Sequence, residues 1–353
     1  MSFAVEEAQR PPFRRVVCLT AVLGLIAGAC TLGRGDTRPM QLRVLKGSAT
    51  IHRGGETEAV KSEAGIQAGD RVVLSRSGIA QLNLAEGREF ELISADVRVA
   101  SETQLDLRKG SVLAALVSPG AVEVNGVRAT TDKSTFRVDR AISMRTGVYT
   151  GSIEVRLGSE RLRISRLRQA VIAGGEIPGT EKPLRIDSRD RWDRRFLQAA
   201  LDLDLRLANF GRGLEAQLGP GSGLDFFNRV LPVGDLGFLS PFLGNRRSDV
   251  LIGLAIAAEA SGGSLRRTSR TFDRAFTLWN DGASWGLIAF ELEVTQQSLF
   301  GRLLDALRRS GIFGAGGAAG PGTVASAPSG PSEPAPGGSG GGQGPQPSPS
   351  PSP

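Results

Sequence analysis

The chain reads as β followed by α: an all-β sandwich or roll, then an α-helical domain, then a disordered Pro/Gly/Ser tail. Three observations predict this. Residues 42–175 carry short segments of period two separated by glycines. Period two puts alternate side chains on opposite faces, the mark of a half-buried strand. Residues 188–312 switch to apolar residues at i, i+4 spacing, the mark of an amphipathic helix. Beyond them, ten of the 19 prolines and one charged residue, Glu333, fall between Gly311 and Pro353, too little apolar matter to form a core.

The first 29 residues read as a signal peptide. Arg10, Arg14 and Arg15 precede an apolar run from Val16 to Ala29. That run is shorter than the roughly 20 residues a membrane span needs, and it suits the apolar region of an export signal. It ends in Ala27-Gly28-Ala29-Cys30, which fits an A-x-A cleavage site. The same residues are similar to the lipobox of bacterial lipoproteins, a resemblance that implies lipidation of Cys30. Cys18 would leave with the signal, so Cys30 is the single thiol of the mature chain. Lipid anchoring at Cys30, plain secretion and an uncleaved anchor are the three outcomes open here. With no cysteine after Cys30, the mature chain has neither a disulfide framework nor a cysteine zinc site. Residues 30–41 then form a linker, which includes Arg34-Gly35-Asp36.

In the β region the clearest window is Ala64 to Gly87, where Val72 and Leu74, then Ala80, Leu82 and Leu84, alternate with polar neighbours. Strands are predicted at Gln41–Lys46, Ser48–His52, Arg71–Leu74, Ile79–Ala85, Phe90–Ile93, Val97–Val99, Gln104–Leu107 and Ser111–Val117. More are predicted at Ala121–Val124, Phe136–Val138, Ser152–Leu157, Arg161–Ser165 and Gln169–Ile172. Glycines between them, including Gly110, Gly147 and Gly151, are expected to turn the chain.

The order of these residues resembles the FecR-type extracytoplasmic domain. The matching positions are Gly69-Asp70, then Ala80, Leu82, Leu84 and Gly87, then Leu107, Gly110 and Val112. They continue with Phe136 and Val138, Gly151, Ile153 and Val155, and Ala173-Gly174. Physically, Gly69 turns the chain, Asp70 caps that turn, and Gly87 and Gly110 close strand-to-strand corners. The resemblance implies a domain outside the cytoplasmic membrane that passes a signal towards a sigma factor. The family mechanism also needs an N-terminal cytoplasmic domain, and only about 15 residues precede the apolar run, fewer than the roughly 40 a folding unit takes.

A linker is expected over residues 176–187. Helices are then predicted around Phe196–Ala208, with N-caps offered by Asp187, Ser188 and Asp190, and a break at Gly211–Gly223. A buried helix is predicted at Asp249–Ala260, capped by Ser248, with further helices at Arg270–Trp279, Ser284–Val294 and Leu299–Leu307. The tail covers 313–353.

Catalytic chemistry finds little support. Gly282-Ala283-Ser284-Trp285-Gly286 matches the nucleophile-elbow pattern, but the chain's one histidine, His52, lies upstream. Ser284 therefore reads as a helix cap. Asp202 and Asp204 are two apart on a helix and point to different sides. No catalytic residue, metal ligand or cofactor is expected. Trp192, Trp279 and Trp285 fit core packing or, as an alternative, a sugar-stacking platform. Charge totals 43 basic against 36 acidic residues, and in linear order the signs are mixed, as at Arg137, Asp139 and Arg140. This pattern argues against nucleic-acid binding. The expectation is an exported, lipid-anchored, non-enzymatic envelope protein working by protein–protein contact, with membrane or envelope proteins as partners. Two alternatives are a sensor that regulates transcription through a membrane partner and a cell-wall carbohydrate-binding module.

Overall fold

The computed structural model describes residues 40–84, 87–217, 227 and 237–310. The signal peptide, Cys30, the Arg34-Gly35-Asp36 tripeptide and the tail over 313–353 lie outside the described residues. The chain begins with β1 (Gln41–Lys46), β2 (Ala49–Arg53), β3 (Glu56–Val60), β4 (Glu63–Gly65), β5 (Arg71–Leu74) and β6 (Ile79–Asn83). Two long strands, β7 (Arg88–Ser101) and β8 (Gln104–Leu116), form a hairpin. β9 (Gly120–Val124), β10 (Val127–Thr131), β11 (Ser134–Arg140) and β12 (Met144–Leu157) come next. β13 (Glu160–Ser165), β14 (Arg168–Ile172) and β15 (Lys182–Pro183) complete the strand-rich part.

The pairings fall into two groups. One runs β4, β1, β6, the first half of β7, the second half of β8, β11, the first half of β12, β14 and β15. The other runs β3, β2, β5, the second half of β7, the first half of β8, β9, β10, the second half of β12 and β13. Three strands, β7, β8 and β12, thus pass from one group to the other. Side chains from both groups share one apolar core that includes Leu42, Leu82, Phe90, Leu105, Val122, Phe136, Val155 and Ile164.

The crossings correct the predicted turns at Gly110, Gly147 and Gly151. All three lie inside strands. Gly110 and Gly151 have φ of +89° and +74°, and the β7–β8 and β11–β12 registers shift near them. A glycine there kinks a continuing strand instead of ending it, as β-bulges do. For the same reason Phe90–Ile93 and Val97–Val99 belong to one strand, as do Gln104–Leu107 and Ser111 onwards. β3 and β4 escaped the sequence reading because their residues are mostly exposed and polar. The stretch 176–187, expected as a linker, is tied down instead. Lys182–Pro183 pairs with β14, and Leu184 is fully buried against Gly147, where an added Cβ would lie 2.6 Å from Leu184 Cδ1. His52 lies in β2, half-buried, with Nδ1 3.2 Å from Thr57 Oγ1.

The helical part starts with α1 (Arg191–Gln217), capped by Asp190, whose Oδ1 accepts the amides of Trp192 and Asp193 at 2.8 and 3.1 Å. The predicted break does not begin at Gly211: α1 continues through it, with Gly211 buried and facing Ser248 at ordinary packing distance. After a 3-10 turn at Gly237–Phe242 come α2 (Arg247–Ala260), α3 (Leu265–Asn280), α4 (Trp285–Glu291) and α5 (Gln296–Ser310). Ser248 is not the cap of α2. It lies in the first turn, buried, and its amide donates to Glu215 Oε1 at 2.7 Å. Val250 to Ala258 are buried without a gap, so α2 is the hub on which the other helices pack. No described helix is long and apolar enough to cross a membrane.

Candidate functional site at the charged seam and the basic groove

The residues of the FecR-like pattern serve the scaffold. Ala80, Leu82, Leu84, Phe136 and Val138 are buried in the β core. Gly69 has φ +97° and its amide donates to Val99 O at 2.8 Å. Asp70 is almost fully buried; Oδ2 accepts the Gln67 amide at 2.9 Å, and Arg53 grips both oxygens at 2.9 and 2.6 Å. Burial pushes the Asp70 carboxyl up, but Arg53 and the Gln67 amide outweigh it and hold the pKa below its ordinary value. Gly87 (φ +70°) sits at the start of the β6–β7 return, where a Cβ would meet Val117 Cγ2 at 2.2 Å. At Gly110 a Cβ would lie 2.4 Å from Ser94 O, and at Gly151 2.6 Å from Lys133 O. Cys30 lies outside the described residues.

The chemistry-bearing side chains gather elsewhere, on the outer face of the first strand group. That face carries Glu91, Ile93, Leu113, Arg137 and Tyr149; Glu91, Leu113 and Arg137 each stand between two residues of the β core. Period two would leave it wet, yet the helices cover it. Ile93, Leu113, Tyr149, Leu167 and Leu184 belong to the helical core, with Trp192 and Leu197 of α1. Tyr149 stacks on Phe196 at 4.8 Å between ring centroids.

Arg137 is the centre of this seam, with its side chain 8% exposed. Its guanidinium reaches Asp139 on its own strand at 2.9 Å and Asp190 before α1 at 2.9 Å, and lies 5.1 Å from the Trp192 ring centroid. Tyr149 donates to Asp193 Oδ1 at 2.7 Å, and the Asp187 amide donates to Oδ2 at 2.8 Å. Burial pulls the Arg137 pKa down, but Asp139, Tyr149 and Asp190 raise it beyond its ordinary value. Burial pushes the Tyr149 phenol well up and raises Asp193 too. Asp190, by contrast, is lowered: its helix-cap amide bonds and Arg137 outweigh burial.

Two further clamps flank it. Glu91 accepts Trp192 Nε1 at 2.9 Å and lies 3.2 and 3.3 Å from Arg191 and Arg195. Glu291 at the end of α4 takes Arg168 of β14 in two bonds of 2.7 and 2.8 Å, and Arg274 of α3 at 2.8 Å. The seam is therefore a fastening between strands and helices, and its polar groups are occupied by one another.

The second strand group keeps its outer face open, and there the structure assembles what linear order hid. In that order the basic residues form no block. Across the sheet, Arg128 of β10 stands directly opposite Arg156 of β12, and Arg156 opposite Arg161 of β13. The neighbouring row on the same face is Thr130, Glu154 and Arg163. Arg128, Arg156 and Arg163, with Lys133 and Arg88, line an open groove of about 730 Å³, which also holds Asp132 and Glu154; Arg161 is not part of the lining. Glu154 pairs with Arg156, which keeps its carboxyl below the ordinary range.

The remaining candidates resolve plainly. Ser284 caps α4, its Oγ accepting the Leu287 amide at 3.4 Å, and it follows a helix–helix connection instead of a strand. Asp204 accepts the Gly286 amide at 3.1 Å, while Asp202 bonds Gln198. Among the described residues no group of three or more His, Cys, Asp or Glu is placed to hold a metal. Trp192 and Trp285 are buried, and Trp279 stacks on Trp285 at 5.7 Å, so the three form no exposed platform.

No family model matches the chain, and no curated protein matches it. Two crystal structures of a candidate anti-sigma factor from Parabacteroides distasonis ATCC 8503 are similar to part of it. Each shares 18% identity, covers 32% of this chain with a TM-score of 0.29, and is itself matched over 59% of its length.

Proposed function

We propose that this chain is an exported, lipid-anchored envelope protein without enzymatic activity, whose FecR-like β domain works by contact with another envelope or membrane protein. One observation carries the reading. The groups that could do chemistry, Arg137, Asp193, Tyr149, Arg168 and Glu291, are engaged with one another in the seam, which leaves the open face of the second strand group as the surface for contact. The FecR-like residues support it as a scaffold, since they occupy corners and core. Mass spectrometry of the mature N-terminus tests the anchor. A diacylglyceryl-modified Cys30 as first residue is expected; an unmodified Cys30, or an intact Met1, overturns the anchoring.

A sensor role that regulates transcription through a membrane partner is the second reading, motivated by the same resemblance. It expects a deletion strain to change at least one sigma-dependent regulon, and an unchanged expression profile removes it. For the carbohydrate-binding alternative the tryptophans offer no platform, since they pack in or against the helical core; the Pro/Gly/Ser tail that also motivates it lies outside the described residues, and a pull-down on purified cell wall tests it.

A further inference from the structure

The open sheet carries an arrangement that folding alone does not favour. Like charges directly opposite on neighbouring strands destabilise a sheet by up to about 1 kcal/mol per pair. Here Arg128, Arg156 and Arg161 stand in one cross-strand row. Lys133 stands at the rim and Arg163 in the next row. All five are exposed. All but Arg161 line the groove, which holds two acids, Asp132 and Glu154, and Glu154 already belongs to Arg156. Arg128 and Lys133 form no ion pair among the described residues. The groove thus carries more cations than its two acids can pair, and guanidinium groups, each a planar fork for an oxyanion, suit an anion with repeating charges.

Three features narrow the anion. No aromatic side chain lines the groove, so bases would have nothing to stack on, which disfavours single-stranded nucleic acid. The apolar lining is limited to Pro119, Ala121 and Ile153, so the groove lacks the anchors on which protein hot spots depend. An extended acidic peptide places same-side carboxylates about 7 Å apart, two residues of roughly 3.3 Å each, whereas directly opposed strand positions lie about 5 Å apart. A chain with the charge in its backbone meets the closer spacing. A concave groove also takes one chain in preference to a flat membrane. The Ser152 hydroxyl, which accepts Arg163 at 3.2 Å, keeps its proton to donate between the charges, whereas those of Thr130 and Thr131 are given to the carbonyls of Glu154 and Ser152.

We propose that the groove across β10, β12 and β13 binds a linear phosphate-backbone polyanion that carries no aromatic base. This inference stands apart from the anchoring and partner readings above. It would give the exported chain a site for phosphate polymers of the envelope.

Calorimetric titration of the full chain with long-chain inorganic polyphosphate at several salt concentrations tests it. Binding is expected, with log affinity against log salt falling at a slope of about −2 to −3, the value for three to four phosphate contacts on a single chain. The double variant R128Q/R163Q is expected to bind at least tenfold more weakly. E154Q, which removes the acid of the groove, is expected to bind more tightly, and it serves if the double variant does not fold. Poly-glutamate, oligothymidylate and anionic vesicles are the comparison ligands, and each is expected to bind more weakly than polyphosphate. Absence of polyphosphate binding, unchanged affinity in both variants, or equal or tighter binding of any comparison ligand overturns the proposal.

Discussion

At the scale of single residues, the seam turns on Arg137. It is the cation that faces Asp139, Asp190 and Asp193 together, at 2.9, 2.9 and 3.7 Å. Removing one partner from a buried charge network leaves the others uncompensated, which costs about 3–5 kcal/mol. Arg137→Met keeps the length and loses the charge, so urea denaturation at neutral pH is expected to show a loss of that order. A change below about 1 kcal/mol would mean that water already reaches the carboxylates. Glu291 makes a pH-dependent case. Burial raises its pKa, but Arg168 and Arg274 outweigh that and hold it below the ordinary value. A depressed carboxyl stabilises the fold above its unfolded pKa, about 4.3, and loses that contribution as pH falls through the folded value. Glu291→Gln is therefore expected to be less stable at pH 7, with the gap to wild type closing below about pH 4. A gap independent of pH would place the loss in packing instead of charge.

At the scale of elements, the bends of β7, β8 and β12 decide the β architecture. Gly110 has φ +89°, and a Cβ there would meet the Ser94 backbone. Gly126 has φ +80°, but nothing lies within 4 Å of its Cβ position. Left-handed backbone alone costs a non-glycine residue about 1–3 kcal/mol. Thermal denaturation is thus expected to rank Gly110→Ala well below Gly126→Ala, because only the former adds a clash with a neighbouring strand. Equal losses would show that β7 can move away freely. The same bend explains what was legible. The alternation at Gln41–Lys46 and Arg71–Leu74 gave those strands to the residue, since a buried face needs an apolar residue at every second position. Gly110 and Gly151 could not be told from turn glycines, because the need for positive φ is the same whether the chain reverses or bends. α1 runs on past Gly211, which is buried against α2, because tertiary packing of a helix face overrides the weak local propensity of one glycine.

At the scale of the whole molecule, the two parts are joined through charge and packing together. The strand face around Glu91 and Arg137 reads as wet in sequence because these polar residues alternate with Phe90, Leu92, Phe136 and Val138. Which polar face is solvated and which is covered depends on a partner over 40 residues away, as with Arg137 and Asp190, 53 apart. The basic groove was hidden for a related reason. Arg128, Arg156 and Arg161 adjoin acids or apolar residues along the chain, and only strand register sets them side by side. Core residues such as Leu82 and Phe136 were readable from order and spacing; the surfaces that remain open were not.

The central claim is that the helices are a fixed cover on one strand face, leaving the other face as the working surface. All three tryptophans, 192, 279 and 285, lie in the helical part, so their fluorescence follows that part, with Trp192 also sensing its contact to Glu91 of β7. Hydrogen exchange of amides in β5 to β9 reports the strands. Following both through one urea series is the most direct test. The account predicts coincident transitions with a single midpoint, because unfolding the helices would expose Leu113, Tyr149, Leu184 and the Arg137 network at once. A tryptophan transition at lower urea, with the strand amides still protected, would contradict it and make the helices an independent domain.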